Sequence, residues 1–250
     1  KVLTPHPEPQ GSEVFDDIVN DLRRFVITSD DNLIKGTFWA AHCNVFNLFD
    51  YTPRLVITAP MEGCGKTRLL ELLQTLTNQS VNGQNMSPSV YFRLANTGGM
   101  SFFMDEADAW FGKGNYGNSE MISALNGGNQ KSGFFWRNKG DHHEPEKYGT
   151  HAAAALSGIK LEQRLPQATL DRSLIIQMQR ARQGQLKEIF RTRIHGAIFE
   201  RHGERLLRWC NDHRDQLISH EPTMPDIDGR EYDNWESIIS IAEVASPEWG

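Results

Sequence analysis

The sequence predicts an α/β fold: a parallel-sheet core with N-terminal helices before it and a C-terminal helical lid after it. Three observations carry this expectation. The run Leu55-Val56-Ile57-Thr58-Ala59 is short, apolar and β-branched; it ends in a glycine-bearing turn and leads into a Leu-rich helix from Thr67 to about Leu76. A second apolar run, Phe102-Phe103-Met104, delivers Asp105 and Glu106 at its end. Strands and helices alternate up to residue 182, and beyond Gly184 the pattern is helical, broken by a loop from Pro222 to Gly229.

Each element follows from its pattern. After a proline-rich lead-in, Val14, Phe15, Ile18, Val19 and Leu22 recur at helical spacing behind Ser12 and Glu13. A second helix from about Asp31 to Leu48 carries Leu33, Ile34, Phe38, Trp39, Val45, Phe46 and Leu48, and reads as more deeply packed. Ser87-Pro88 supplies an N-cap and a first-turn proline for a short helix to about residue 95, which Gly98-Gly99 ends. Ser119 to Leu125 predicts a further helix. Phe134 to Arg137 and Tyr148 to Leu156 read as two strands around a projecting loop, Lys139 to Pro145, and Ser173 to Met178 as the last core strand. Three segments result: a helical lead-in over 1–50, a core over 51–182 and a lid over 183–250. There is no internal repeat.

Composition narrows the function classes. With 250 residues, 38% hydrophobic and 23% charged, the chain can bury a real core, and neither disorder nor a fibrous repeat fits. Its apolar stretches are too short to span a bilayer, so a soluble protein is expected. Three cysteines, Cys43, Cys64 and Cys210, form no CxxC pair and point to a reducing, cytoplasmic setting. Lacking a leader at Lys1 and a tail signal at Gly250, the chain reads as a piece of a longer polypeptide with flanking domains. The formal charge of −6 is uneven: residues 180–214 carry +5 and residues 215–250 carry −8. The basic block could face a polyanion or be a solvated helix face.

The chemistry concentrates in two places. Between strand and helix stands Ala59-Pro60-Met61-Glu62-Gly63-Cys64-Gly65-Lys66-Thr67-Arg68, the second half of the phosphate-binding P-loop. A triphosphate needs converging backbone N–H groups, glycines where side chains would intrude, and a helix N-terminus that favours negative charge. Residues Glu62, Gly63, Cys64, Gly65, Lys66, Thr67 and Arg68 are therefore the expected ATP contacts. Lys66 would neutralise the β and γ phosphates and Thr67 would take a Mg²⁺ position. Pro60 stands where the standard pattern has its first glycine. Asp105 would hold Mg²⁺ through water, and Glu106 would orient and activate the attacking water. The fold expected is thus that of a P-loop NTPase. The letters Asp105-Glu106-Ala107-Asp108 also spell a helicase motif, but one core leaves no room for the second domain those enzymes need.

The stretches TAPMEGCGKTRLLELL, FFMDEADAWF, ALNGGNQKSGFFWR and LPQATLDRSLIIQMQRAR, in this order, resemble an uncharacterised family of bacterial and phage P-loop ATPase domains. It is catalogued as a domain of unknown function and is often fused behind primase-like modules in mobile elements. The resemblance runs from about Pro5 to Trp249. It implies an AAA+-like ATPase tied to DNA replication or mobility, working as a homo-oligomer beside a fused or partner primase-like domain. By AAA+ logic, Ser157 at the end of the strand from His151 is a polar sensor between the acids. Arg172 would reach the neighbouring subunit's γ-phosphate, the alternative being a pair with Asp171 or a surface charge. One of Arg191, Arg193, Arg205 and Arg208 could sense nucleotide.

Two readings compete: an ATPase that couples hydrolysis to DNA work, and a nucleotide-dependent switch or scaffold without translocation. Small-molecule phosphotransfer lacks an acceptor signature. The loop from Arg137 to Pro145 is the expected DNA contact, and Trp136 the best base-stacking candidate among aromatics that otherwise sit in apolar runs. Asp141-His142-His143-Glu144 lacks the second ligand pair that a metal site needs.

Overall fold

In the computed structural model, residues 11–83, 86–111, 119–139, 144–185, 188–247 and 249 are described. Two helices open the chain. In α1 (Gly11–Phe25), Val14, Phe15, Ile18, Val19, Leu22 and Phe25 are buried along one stripe. The second helix, α2 (Asp30–Val45), starts at Ser29, whose side chain accepts from the Asn32 N–H, with Asp30 and Asp31 favouring the positive end of the helix. Its run from Gly36 to Cys43 is buried all round, as its bulky composition predicts, and a 3₁₀ turn, Phe46–Leu48, extends it.

The core sheet is built from β1 (Arg54–Ala59), β2 (Ser80–Asn82), β3 (Ser101–Met104), β6 (Ala153–Ile159) and β7 (Ser173–Gln177). Its order is β2-β3-β6-β1-β7 and every pairing is parallel. Each strand alternates between two apolar layers. Leu55, Ile57, Phe103, Ala153 and Ala155 face the layer shared by α1, α2, α3 (Lys66–Thr75), α8 (Thr192–Asp212) and α10 (Gly229–Ala245). Val56, Phe102, Met104, Ala154 and Leu156 face α4 (Pro88–Asn96), α5 (Ala107–Trp110) and α6 (Ser119–Gly127). The small side chains of β6 let both layers close over the sheet centre; on one side Trp39 meets Phe103 edge-on, centroids 5.7 Å apart. All five strands lie within residues 51–182. No described helix is long and apolar enough to cross a membrane.

Several expectations change in detail. The run Tyr148 to Leu156 is not one strand: β5 (Glu144–Gly149) pairs antiparallel with β4 (Phe134–Lys139), whereas β6 joins the main sheet. Thr150 to Ala152 bridges the two, and the Ala152 N–H bonds to the Gly128 carbonyl. Strand pairing reaches Lys139 and Glu144, so both ends of the expected loop are strand; residues 140–143, with Asp141, His142 and His143, lie outside the described residues. The chain from 178 to 191 is not helical where described, and helix resumes only at Thr192; α9 (Arg214–Ser219) then precedes α10. The strand β2 and the helices α5 and α7 (Gln167–Leu170) were not expected; each is at most four residues long, too short for a periodic signal.

Arg54 is a fully buried guanidinium at the entry of β1. It donates to the Leu125 carbonyl from Nε at 2.9 Å and from Nη2 at 2.6 Å, and also to the Ala152 carbonyl. Carbonyl groups at the end of α6 and the start of β6 thus replace its water.

Candidate functional site

The carboxyl edge of the sheet gathers the chemistry. Buried β1 ends at Ala59, and the chain turns through the exposed Pro60, Met61, Glu62 and Gly63 into α3. Gly63 has φ 73° and Gly65 φ 80°, left-handed values that a side chain resists. A Cβ at Gly63 would meet nothing within 4 Å, so its backbone conformation, not crowding, requires glycine there. Pro60 lies outside the positive-φ positions, as its ring requires. The first intrahelical bond of α3 runs from the Leu69 N–H to the Gly65 carbonyl, leaving the first-turn N–H groups open toward the loop. Lys66 is half-buried beside them. Cys64 points the other way: its side chain is buried in the apolar layer under the loop.

The carboxylates come from β3. Asp105 Oδ2 accepts from Thr67 Oγ1 at 2.7 Å, and Oδ1 accepts from the Glu106 N–H at 2.9 Å and from the Ser157 hydroxyl. This convergence follows from register. Met104 pairs with Leu156 and Ile57 with Ser157, so the buried Ser157 lies between the loop strand and the acid strand. Its hydroxyl engages Asp105, which makes it a positioning group for that carboxylate. Glu106 is exposed at φ 53°, ψ 33°, a left-handed turn that starts α5. Gly158 is where α5 crosses β6: a Cβ there would stand 2.6 Å from Asp108 Oδ1 and 3.0 Å from the Asp108 nitrogen.

The other expected residues lie apart. Arg68 pairs with Glu71 at 2.8 Å, its guanidinium 4.5 Å from the Phe190 ring centroid. Arg172 precedes β7, so it occupies the opposite edge of the parallel sheet from Lys66, about 20 Å away at strand rise. Its Nη1 donates to the Ala168 carbonyl at 2.5 Å, and Asp171 pairs with Arg230 at 3.3 Å instead. Burial, and then Arg230, push the Arg172 pKa down. The two arginines line a cleft of about 440 Å³ with Asn126, Gln130, Phe134 and Asp233.

The basic block is answered from within at a few positions. Arg205 pairs with Asp17 at 2.6 Å and Glu13 at 3.6 Å, His202 meets Asp21 at 2.7 Å, and Arg208 pairs with Asp212 at 3.3 Å. Burial acts to raise the Asp21 pKa, but His202 and Arg24 outweigh it and hold the carboxyl below its ordinary range. Arg191 and Arg193 stay exposed. Arg137 faces inward, donating to Ser89 Oγ at 2.6 Å and to Glu120, with the Phe92 ring centroid 4.9 Å away.

One residue escaped the sequence reading. Thr58 pairs with Gln177, so continuing the parallel register sets Arg180 beside Met61; its Nη1 lies 3.7 Å from the Met61 sulfur. An exposed guanidinium thus flanks the glycine loop on the side away from Asp105. Finding it requires knowing that β7 neighbours β1, which no local motif announces. Among the described residues, no three His, Cys, Asp or Glu groups converge as a metal cage.

Residues 177–250 match the family described as "Protein of unknown function (DUF3631)". The match takes in the end of β7 and the C-terminal helices and does not reach the glycine loop. No curated protein matches the chain.

Proposed function

We propose that this chain is an ATP-binding and ATP-hydrolysing domain of the AAA+-like P-loop type that couples hydrolysis to work on DNA, as the motor portion of a phage or mobile-element replication protein. The observation that carries the reading is the meeting of Thr67 with Asp105 beside a left-handed glycine turn and a helix N-terminus, at the carboxyl edge of a parallel sheet. That edge is where open α/β sheets bind ligands.

The roles follow from the groups. The first-turn N–H groups of α3 and the Lys66 ammonium bind the phosphate chain. A hydroxyl and a carboxylate at 2.7 Å suit Mg²⁺, which takes oxygen ligands and needs only one or two from protein. Thr67 and Asp105 would hold it, and the ion supplies charge neutralisation at the β and γ phosphates. Glu106 orients the attacking water and accepts its proton. Ser157 keeps the Asp105 carboxylate aimed. Arg172 sits too far from its own loop to act there, so its guanidinium serves a neighbouring copy in a homo-oligomer, a contribution of order 10³ or more in rate. The three free, buried cysteines suit a reducing cytoplasm. DNA is met through the hairpin β4–β5.

Turnover measured with and without single- and double-stranded DNA, on samples of known oligomeric state, tests the reading. Lys66→Ala should lose binding or hydrolysis, while Glu106→Gln keeps Mg-ATP binding and loses turnover. A mixture of Arg172→Ala and Lys66→Ala, each inactive alone, should recover activity. Unchanged turnover in Lys66→Ala removes the site, a fully active monomeric Arg172→Ala removes the oligomeric part, and turnover indifferent to DNA leaves the switch reading in its place.

A further inference from the structure

The hairpin β4–β5 has two unlike faces. On the inner face Phe135 stacks on Phe92, centroids 4.4 Å apart and planes at 18°, and Arg137 reaches over the same ring to Ser89 and Glu120. Strand alternation turns Phe134, Trp136 and Asn138 outward. The pairings Phe134 with Gly149, Trp136 with Lys147 and Asn138 with Pro145 put Lys147 on that same outer face. Phe134 is 47% exposed and Trp136 57%. The two rings meet at 85° with centroids 6.1 Å apart, and the Lys147 ammonium lies 4.2 Å from the Phe134 centroid. Two large rings thus meet edge to face on an anchored hairpin and are still left in water.

Charge selects the occupant. The outer-face positions hold one cation and no carboxylate, since Glu144 and Glu146 pair in register with Lys139 and Arg137 on the other parity. Phe134 also borders the cleft that holds Arg172 and Arg230, with Asp233 as its acid. Flat apolar rings beside cations are what single-stranded nucleic acid requires: bases stack on aromatic faces while the backbone follows positive charge. A duplex hides its base faces inside the stack and cannot use such rings. We propose that the outer face of this hairpin is a base-stacking platform for single-stranded nucleic acid, with Phe134 and Trp136 taking bases and Lys147, which lies over the Phe134 ring in the free protein, moving off it to a phosphate. It rests on the nucleic-acid part of the proposed function and specifies the form bound.

The test uses the whole chain, an oligothymidylate of about 20 nucleotides and a duplex of the same length, with anisotropy for affinity and tryptophan emission for contact. The parent should bind the single strand more tightly than the duplex, with quenched emission. Phe134→Ala and Trp136→Ala should each weaken single-strand binding about 5- to 100-fold. Trp136→Phe should keep most of the affinity and lose most of the quench, a readout that a purely structural role would not move and one that serves should an alanine variant melt early. Lys147→Ala should lower the slope of log affinity against log salt by about 0.7. A parent that binds neither probe overturns the nucleic-acid reading and the platform with it. Tight single-strand binding that all variants retain overturns the platform alone. So does a change of oligomeric state in the variants at unchanged DNA affinity, which would assign the face to a second copy of the chain.

Discussion

Two core histidines make the fold sensitive to mild acid. His42 is fully buried, shares a hydrogen bond with Thr52 Oγ1 at 2.8 Å through Nε2, and has no partner at Nδ1. His151 packs edge-on to Phe46 at 5.1 Å and has no partner at Nε2. Burial first, then His151 and the Arg54 guanidinium, lower the pKa of His42 to about 3; burial, then Arg54 and Lys131, lower His151 to about 4. An ordinary histidine titrates near 6.5. Above that value neither residue changes stability with pH. As pH falls below it, the unfolded chain binds protons that the folded chain refuses, and stability drops until the folded values are reached. At pH 5 the gap is about 1.5 pH units, or about 2 kcal/mol for His42 and somewhat less for the half-buried His151, so about 3–4 kcal/mol together. That is a large share of a typical 5–15 kcal/mol. Urea unfolding at pH 7 and pH 5 should show the loss as a lower midpoint at constant slope, and the double variant His42→Gln/His151→Gln should show much less of it. An equal acid loss in parent and variant would refute the assignment to these two side chains.

Three further outcomes follow from single contacts. Glu106→Gly should raise stability by about 1 kcal/mol in urea unfolding, because the left-handed backbone costs a side chain that much, while abolishing turnover; a lowered midpoint would count against backbone strain at that position. Arg180→Ala should weaken ATP binding by calorimetry about 10-fold or more, the worth of one charge-assisted hydrogen bond, without shifting the melting temperature, since the side chain is exposed; parental affinity would mean that Arg180 does not touch the phosphate chain. Arg54→Met leaves the Leu125 and Ala152 carbonyls without their buried donor and should cost about 2–4 kcal/mol; a loss below about 1 kcal/mol would show that the carbonyls find other partners.

The architecture was legible wherever an element is long and its periodicity strong. The helices α1 and α2 are seen in the spacing of Val14, Ile18 and Leu22 and in the bulk from Leu33 to Phe46, and β1 in the run Leu55-Val56-Ile57 continued by Thr58 and Ala59. What escaped was decided by partners distant in the chain. Nothing local separates Tyr148 from Ala153, because both stretches are extended; only the antiparallel partner β4 and the parallel partners β1 and β3 assign them to different sheets. Equally, the positive count over 180–214 says nothing of where its counterions lie. Glu13 and Asp17 on α1 take Arg205 and Asp21 takes His202, whereas Arg180, Arg191 and Arg193 stay exposed, so the chain's own first helix meets only part of the block that could have faced a polyanion.

The site divides along the same line. The turn was legible because glycines at left-handed positions are a local necessity, and Gly63 and Gly65 stand at such places; Lys66 at the start of α3 is not, since the helix dipole disfavours a cation there. Asp105 and Glu106 could be named because they end an apolar run. That Ser157 binds Asp105, and that Arg180 flanks Met61, depends instead on strand order β3-β6-β1-β7, which brings into one edge residues from four strand ends spread over more than a hundred positions. The same order sends Arg172 to the far edge, because in a parallel sheet residues that enter a strand and residues that leave it lie at opposite rims. The two rims of this sheet are therefore chemically different, one with the glycine loop and carboxylates, the other with Arg172 and Arg230 over a cleft. Only a second molecule can bring the two rims together, which is why the mixing of Lys66→Ala with Arg172→Ala tests the topology as directly as it tests the chemistry.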